Sequence, residues 1–205
     1  MEVMALVVAE DKTLCDQCNY CFEKSLDLEY FKRSYRYYSA ENFEGDYLIV
    51  YMQPNLEMML NDFDLTKRSY GYHRFLSLLQ GSYIHFPILR GISNENDKGP
   101  TKKQSRICKD YLISYIEKAK FKQVIVLGID ACSLFGIDLN KVQRVRVGGK
   151  IVTVLGLKSP SSIYYHSGTM LKDQTIGDDY YTTYLTVLKD LSHEIKSECT
   201  EEEQQ

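Results

Sequence analysis

Residues 100–128, PTKKQSRICKDYLISYIEKAKFKQVIVLG, decide the fold that we predict for this chain of 205 residues. Pro100-Thr101 is a helix-start signal, and apolar residues then recur with helical spacing as far as Ala119. The run from Gln123 to Leu127 is continuously apolar and β-branched and is closed by Gly128, which is typical of a parallel strand buried on both faces. The stretch therefore predicts a helix that leads into a central strand of an α/β domain.

Several cysteines have the pattern of metal ligands. Cys108 lies near the start of the predicted helix, in its first turn, where the aligned amide dipoles stabilise a thiolate; an inert core cysteine is the alternative interpretation. Cys15 and Cys18 form a C-x-x-C pair, a spacing that lets two thiolates reach one metal centre. A redox C-x-x-C is disfavoured because no apolar strand leads into a helix at Cys15. The fourth ligand is then Cys21 or His85, and zinc is an alternative to an iron-sulfur cluster.

Composition favours one soluble domain. The chain is 44% hydrophobic and contains six cysteines, a number that in an intracellular chain indicates thiols and metal ligands. We expect a single domain over residues 1–197 and an acidic, disordered tail over residues 198–205. No apolar run approaches the length of a membrane span and the N-terminus does not resemble a signal peptide, so we expect a cytoplasmic protein. We also expect a monomer. The net charge of −3 means that any attraction to DNA has to be local.

These motifs resemble the iron-sulfur branch of the uracil-DNA glycosylase superfamily, which comprises the family 4 enzymes and their uracil-trapping relatives. The resemblance covers roughly residues 12–192. It implies that Cys15, Cys18, His85 and Cys108 hold one 4Fe-4S cluster, with histidine in third place as in the trapping relatives. It also implies a three-layer α/β/α sandwich around a central, mainly parallel sheet of four strands.

The first core strand, DYLIVYM at residues 46–52, is followed by the first part of the expected base pocket. The family carries G-E-x-P-G at this strand end, so the resemblance assigns Tyr51, Met52 and Pro54 to the pocket. Met52 stands where the family has a water-orienting carboxylate. The general base of the family is therefore absent from its usual place.

Two further positions of the expected pocket are also altered. Gly81 precedes the second predicted strand, residues 81–88, and replaces an asparagine that reads the pyrimidine edge. We expect this glycine to remove discrimination for uracil and to open space. Asp97 replaces the histidine that bonds covalently to the sugar in the trapping relatives, so we predict no such adduct.

The segment LKSPSSI, residues 157–163, resembles the loop that in the family enters the minor groove and supports the leaving base. Ser159 replaces the histidine of that loop, while Lys158, Pro160, Ser161 and Ser162 are expected to contact DNA. A generic turn is the alternative interpretation. Arg68, together with neighbouring basic residues, is expected to meet phosphates or else to lie on a solvated helix face.

The remaining patterns complete the predicted fold. A short helix is predicted over residues 130–136, a hairpin over residues 141–155 with its turn at Gly148-Gly149, and an amphipathic helix over residues 180–195. Arg144 and Arg146 of the hairpin should face solvent together. The tyrosine-rich segment of residues 28–38 is interpreted either as a surface that stacks single-stranded bases or as an ordinary amphipathic helix.

Two functions agree with a retained scaffold and an altered pocket. In the first, the protein is a DNA glycosylase that removes a bulky modified base, such as glucosylated hydroxymethylcytosine, with a role in defence against phage. Gln53, Asn55 and Ser159 would then hold the base and its leaving charge, and Glu57, Asp62 or Asp97 would activate water. In the second, the protein is a catalytically silent DNA-binding or docking subunit.

Overall fold

The computed structural model describes residues 44–89, 102–161, 186 and 188. Its strands are β1 (Tyr47–Tyr51), β2 (Tyr83–Pro87), β3 (Gln123–Leu127), β4 (Val142–Val147) and β5 (Lys150–Leu157). Its helices are α1 (Leu56–Leu60), a 3-10 helix (Leu65–Arg68), α2 (Tyr70–Leu76), α3 (Lys102–Lys118) and α4 (Ile129–Phe135). Thr186 and Leu188 are helical, while the rest of the predicted C-terminal helix, the tyrosine-rich segment and the acidic tail lie outside the described residues.

The sheet has five strands in the order β2-β1-β3-β5-β4, and every neighbouring pair is parallel except β4 with β5. The α/β class is therefore confirmed, but the sheet has one strand more than the four that were predicted. The extra strand is β4, because the tight turn at Gly148-Gly149 folds it back onto β5. The predicted hairpin is confirmed, and both Arg144 and Arg146 are exposed on it.

Helices pack on both faces of the sheet, because successive side chains of a strand point to opposite sides. On the first face, Phe86 of β2 contacts Tyr115 of α3 with ring centroids 4.0 Å apart. The Cys132 thiol of α4 donates to the Val126 carbonyl on the same face, at 3.5 Å. On the second face, Tyr51 of β1 packs edge-on against Tyr72 of α2. The first face thus carries α3 and α4, and the second carries the 3-10 helix and α2.

Helix α3 lies on the first face through one buried stripe, as its sequence periodicity predicts. The stripe consists of Cys108, Leu112, Tyr115, Ile116 and Ala119. Lys150 of the hairpin donates to the carbonyls of Ile116 and Ala119, each at 3.2 Å, and so caps the end of the helix. Because α3 begins at Lys102, Cys108 lies beyond its first turn. The prediction that the helix dipole stabilises a Cys108 thiolate is therefore wrong, because the effect of the dipole fades within the first turn.

The strand order reverses direction between β1 and β3. The chain leaves β1 towards β2 on one side, whereas β3 is followed by β5 on the other. In open α/β sheets the helices diverge at such a point and leave a crevice beyond the carboxyl ends of the strands. Across residues 44–89 and 102–161, none of the helices is long and apolar enough to span a membrane.

Candidate ligand cleft at the carboxyl ends of the strands

A cleft of about 310 Å³ opens at the reversal point between β1 and β3. Its walls come from the end of β1, from the 3-10 helix and α2, from the turn between β3 and α4, and from the loop after β5. Its lining residues are Met52, Arg68, Tyr72, Leu127, Gly128, Ile129, Asp130, Ala131, Lys158 and Ser159. Such a volume is within the range of small-ligand sites.

Arg68 is the most tightly held cation of the cleft. Its guanidinium carbon lies 5.0 Å from the ring centroid of Tyr51 and 5.2 Å from that of Tyr72, a cation–π contact with each ring. Its Nη1 donates to the backbone carbonyl of Gln53. Its Nε is buried and has no hydrogen-bond partner among the described residues. The sequence placed Arg68 on a phosphate-contacting or solvated helix, and the structure places it inside the cleft.

The residues after β1 mainly shape the wall of the cleft to which Arg68 belongs. Asn55 caps α1 by accepting from the Met58 amide at 3.1 Å, and its Nδ2 donates to the Arg68 carbonyl at 2.9 Å. Both ends of the Asn55 amide are thus engaged, which argues against its predicted role in holding a base. Pro54 is buried beside it, and Glu57 is exposed on α1 and does not line the cleft.

The loop after β5 forms the opposite wall and is fixed against α2. Gly71 of α2 approaches Pro160 so closely that an added Cβ would lie 2.8 Å from the Pro160 carbonyl carbon. The hydroxyls of Ser69 and Ser161 lie 3.3 Å apart and form a hydrogen bond. Lys158 and Ser159 line the cleft at the start of this loop. Ser162 lies outside the described residues.

The cleft contains a carboxylate that sequence reasoning missed. Asp130 lies in the first turn of α4 and is exposed at the cleft. It follows Gly128, whose φ of +111° turns the chain sharply out of β3. The signal that would have found it is the position, because polar residues just after a buried parallel strand lie at the ligand-binding edge of the sheet.

His85 lies within β2 on the second face, deep in the core. The Tyr51 hydroxyl is 3.2 Å from its Nδ1, and the ring also hydrogen-bonds to the Phe63 backbone. A neutral imidazole has one donor and one acceptor nitrogen and so can satisfy both contacts. Burial lowers the pKa of His85 to about 4, and nearby Arg68 adds to the shift.

The structure does not bring His85 and Cys108 together. His85 points to the second face with Tyr51, whereas Cys108 belongs to the buried stripe of α3, which packs on the first face. This geometry argues against one cluster held by both side chains, and the predicted ligand set with His85 stays a prediction. Cys15, Cys18 and Cys21 lie outside the described residues. Among the described ones, no group of three or more Cys, His, Asp or Glu side chains is placed to hold a metal.

The structure also argues against the predicted role of Gly81. It precedes β2, so it lies at the amino ends of the parallel strands, about 20 Å along the strand direction from the cleft. Its φ of +140° and the Asp46 carboxylate beside it account for the glycine. It therefore opens no room for a base in this cleft. Of the other expected residues, Asp97 lies outside the described residues, and Asp62 and buried Tyr51 do not line the cleft.

A search with this chain finds no protein-family model that matches it. No curated protein matches it at a significant level either.

Proposed function

We propose that this cleft receives a nucleobase extruded from DNA, and that the protein is a DNA glycosylase that hydrolyses the N-glycosidic bond of a base other than uracil. One observation carries the proposal. The two segments that the family resemblance assigns to the base pocket, around Met52 and around Ser159, are far apart in sequence and line the same cleft. The cleft also lies where open α/β sheets bind their ligands. Helices on both sheet faces fit the three-layer sandwich of the uracil-DNA glycosylase superfamily.

The chemistry expected of the cleft follows from its side chains. Hydrolysis of an N-glycosidic bond passes through a sugar cation, so fixed charges and one oriented water supply much of the catalysis. Met52 offers apolar surface to a base, and Ser159 is a hydrogen-bonding side chain of the cleft lining. Lys158, half-buried at the start of the outer loop, is placed to meet a DNA phosphate. Asp130 is the carboxylate of the cleft and therefore the candidate for orienting water.

The proposal includes a metal cluster, with a ligand set that differs from the one the family resemblance implies. Because His85 points to the face opposite α3, we propose Cys15, Cys18, Cys21 and Cys108 as the ligand set. Cys21 was the open alternative in the sequence. A 4Fe-4S cluster, or zinc in its place, would tie the N-terminal segment to α3 and has a structural role. We also propose that the protein is a cytoplasmic monomer that acts on modified phage DNA, such as DNA carrying glucosylated hydroxymethylcytosine.

The test is to incubate the purified protein with genomic DNA from phages that differ in base modification and to count abasic sites. We expect abasic sites in one class of modified DNA and little release from uracil-containing DNA. Asp130→Asn is expected to lower the rate by about 100-fold or more. The matched control is Asp138→Asn, because Asp138 is exposed, pairs with Lys141 and lies outside the cleft lining. A fully active Asp130→Asn variant would remove Asp130 from the mechanism.

A catalytically silent DNA-binding subunit is the second candidate. Met52 favours it, because an apolar side chain lines the cleft where the family has its water-orienting carboxylate. The same experiment separates the two. A silent subunit binds DNA in a mobility-shift assay and leaves no abasic sites in any of the substrates.

A further inference from the structure

The charge balance of the cleft is unusual at Arg68. Among the described residues Arg68 forms no ion pair, and the pairs found there, Lys122–Asp46 and Lys141–Asp138, lie elsewhere. Its guanidinium is held by two aromatic rings and one backbone carbonyl, and its Nε is buried without an acceptor. Arg68 is half-buried, and withdrawing part of a cation from water without a counter-charge costs free energy. A bound anion would offset that cost.

The position of the guanidinium is also fixed in advance. Tyr51 is fully buried and its hydroxyl is engaged by His85, so the ring under the guanidinium cannot turn away. Tyr72 is 1% exposed and contacts the guanidinium with its own ring. A donor held in this way needs little reorganisation when negative charge develops beside it, which is the condition for strong electrostatic stabilisation.

We infer that Arg68 receives the negative charge of the departing base. This inference rests on the proposed glycosylase function and narrows its substrate class. Bases that leave as anions, with the charge shared between the ring nitrogen and a neighbouring carbonyl oxygen, are favoured by a guanidinium held in place by two rings and a backbone carbonyl. Pyrimidines have this chemistry, because the negative charge of a departing pyrimidine is shared between N1 and O2. Cationic alkylated purines do not, because the same charge repels them before the bond breaks.

The reaction balances without an added reagent. The bond between C1′ and N1 breaks, and its electron pair moves to the base, where Arg68 stabilises the anion. Water adds its oxygen to C1′, and the proton that it loses ends on the departed base. The products are an abasic site and a neutral base.

The charge preference is tested with two free pyrimidines of similar shape. 5-Nitrouracil is an anion at neutral pH, whereas thymine is neutral and also substituted at C5. In an NMR titration we expect the protein to bind 5-nitrouracil at least about tenfold more tightly than thymine. A tenfold ratio of dissociation constants corresponds to the free energy of one hydrogen bond to a charged group. Arg68→Met should lose this preference, because methionine keeps the length and apolar stem without the charge.

The matched control is Lys67→Met, which removes the same charge from an exposed neighbour that does not line the cleft. It should keep the preference. Near-ultraviolet circular dichroism checks that both variants are folded. An absent preference, or one that persists in Arg68→Met, overturns the inference.

Failure of the glycosylase proposal is read separately, from the abasic-site assay on phage DNA. An Arg68-dependent preference for the anion without abasic sites in any DNA would leave an anion-binding cleft and no glycosylase. Oligonucleotides that contain 7-methylguanine test the substrate class. Release of this cationic base above its rate in buffer would overturn the assignment to bases that leave as anions.

Discussion

Gly71 is the point where α2 touches the loop after β5, and we expect Gly71→Ala to destabilise the protein. In an exposed helix the same substitution would be stabilising by about 1 kcal/mol, because alanine has the higher helix propensity. Here an added Cβ would lie 2.8 Å from the Pro160 carbonyl carbon and closer still to its oxygen. The opposing atoms belong to the backbone, so they cannot rotate out of the way.

The size of the effect follows from the displacement needed. Ordinary van der Waals contact begins near 3.4 Å, so α2 and the loop would have to separate by at least about 0.6 Å. Overpacking of this kind costs about 1–3 kcal/mol. After the gain in helix propensity is subtracted, we expect a net loss of about 1–2 kcal/mol in the free energy of unfolding. The movement would also stretch the hydrogen bond between Ser69 and Ser161 and widen the cleft.

Urea unfolding of the wild type and Gly71→Ala measures this difference. His73→Ala is the control, since His73 is exposed on the same helix and its replacement should change stability by no more than about 0.5 kcal/mol. If Gly71→Ala were stabilising, as helix propensity alone predicts, the contact between α2 and Pro160 would not exist. That wall of the cleft would then be wrongly placed.

Three other outcomes are expected. Burial lowers the pKa of His85 from 6.5 to about 4, so as the pH falls the unfolded chain takes up a proton at this histidine before the folded chain does. The contribution of neutral His85 to the free energy of unfolding is fully present above about pH 6.5. Urea unfolding should show a loss of about 2 kcal/mol by about pH 5. Cys108→Ser and Cys21→Ser should bleach the colour of the purified protein, whereas His85→Gln should leave its visible spectrum unchanged. Gly81→Ala should destabilise the protein by about 1–3 kcal/mol, because φ is +140° and an added Cβ would lie 2.6 Å from the Asp46 carboxylate, yet it should leave ligand binding at the far end of the sheet unaltered.

Each of these outcomes has a result that contradicts it. His85→Gln should flatten the dependence of stability on pH relative to the wild type, and His73→Gln should not; equal slopes in all three proteins would place the low pKa elsewhere. A colourless His85→Gln variant would restore His85 to the cluster. A colourless wild type that contains zinc would support zinc in place of iron. Loss of pyrimidine binding in Gly81→Ala would argue that Gly81 lies near the ligand.

Part of the site was predictable because it depends on where strands end. Met52, Lys158 and Ser159 each lie just after a strand that the sequence pattern identifies, and parallel strands place their carboxyl ends at one edge. Asp130 was open to the same argument. Arg68 was predicted only as a surface cation, because nothing in its local sequence shows that Tyr51 and Tyr72 enclose it.

The sequence by itself determined the local elements: the buried strand β3, the amphipathic helix α3, and the hairpin that turns at Gly148-Gly149. These depend on periodicity and on turn residues, which are properties of neighbours along the chain. The tertiary structure alone decided which side chains meet. His85 and the helix that carries Cys108 belong to opposite faces of the sheet, and Gly81 lies at the end opposite the cleft, because strand order and the side of each crossover helix arise from packing between distant segments.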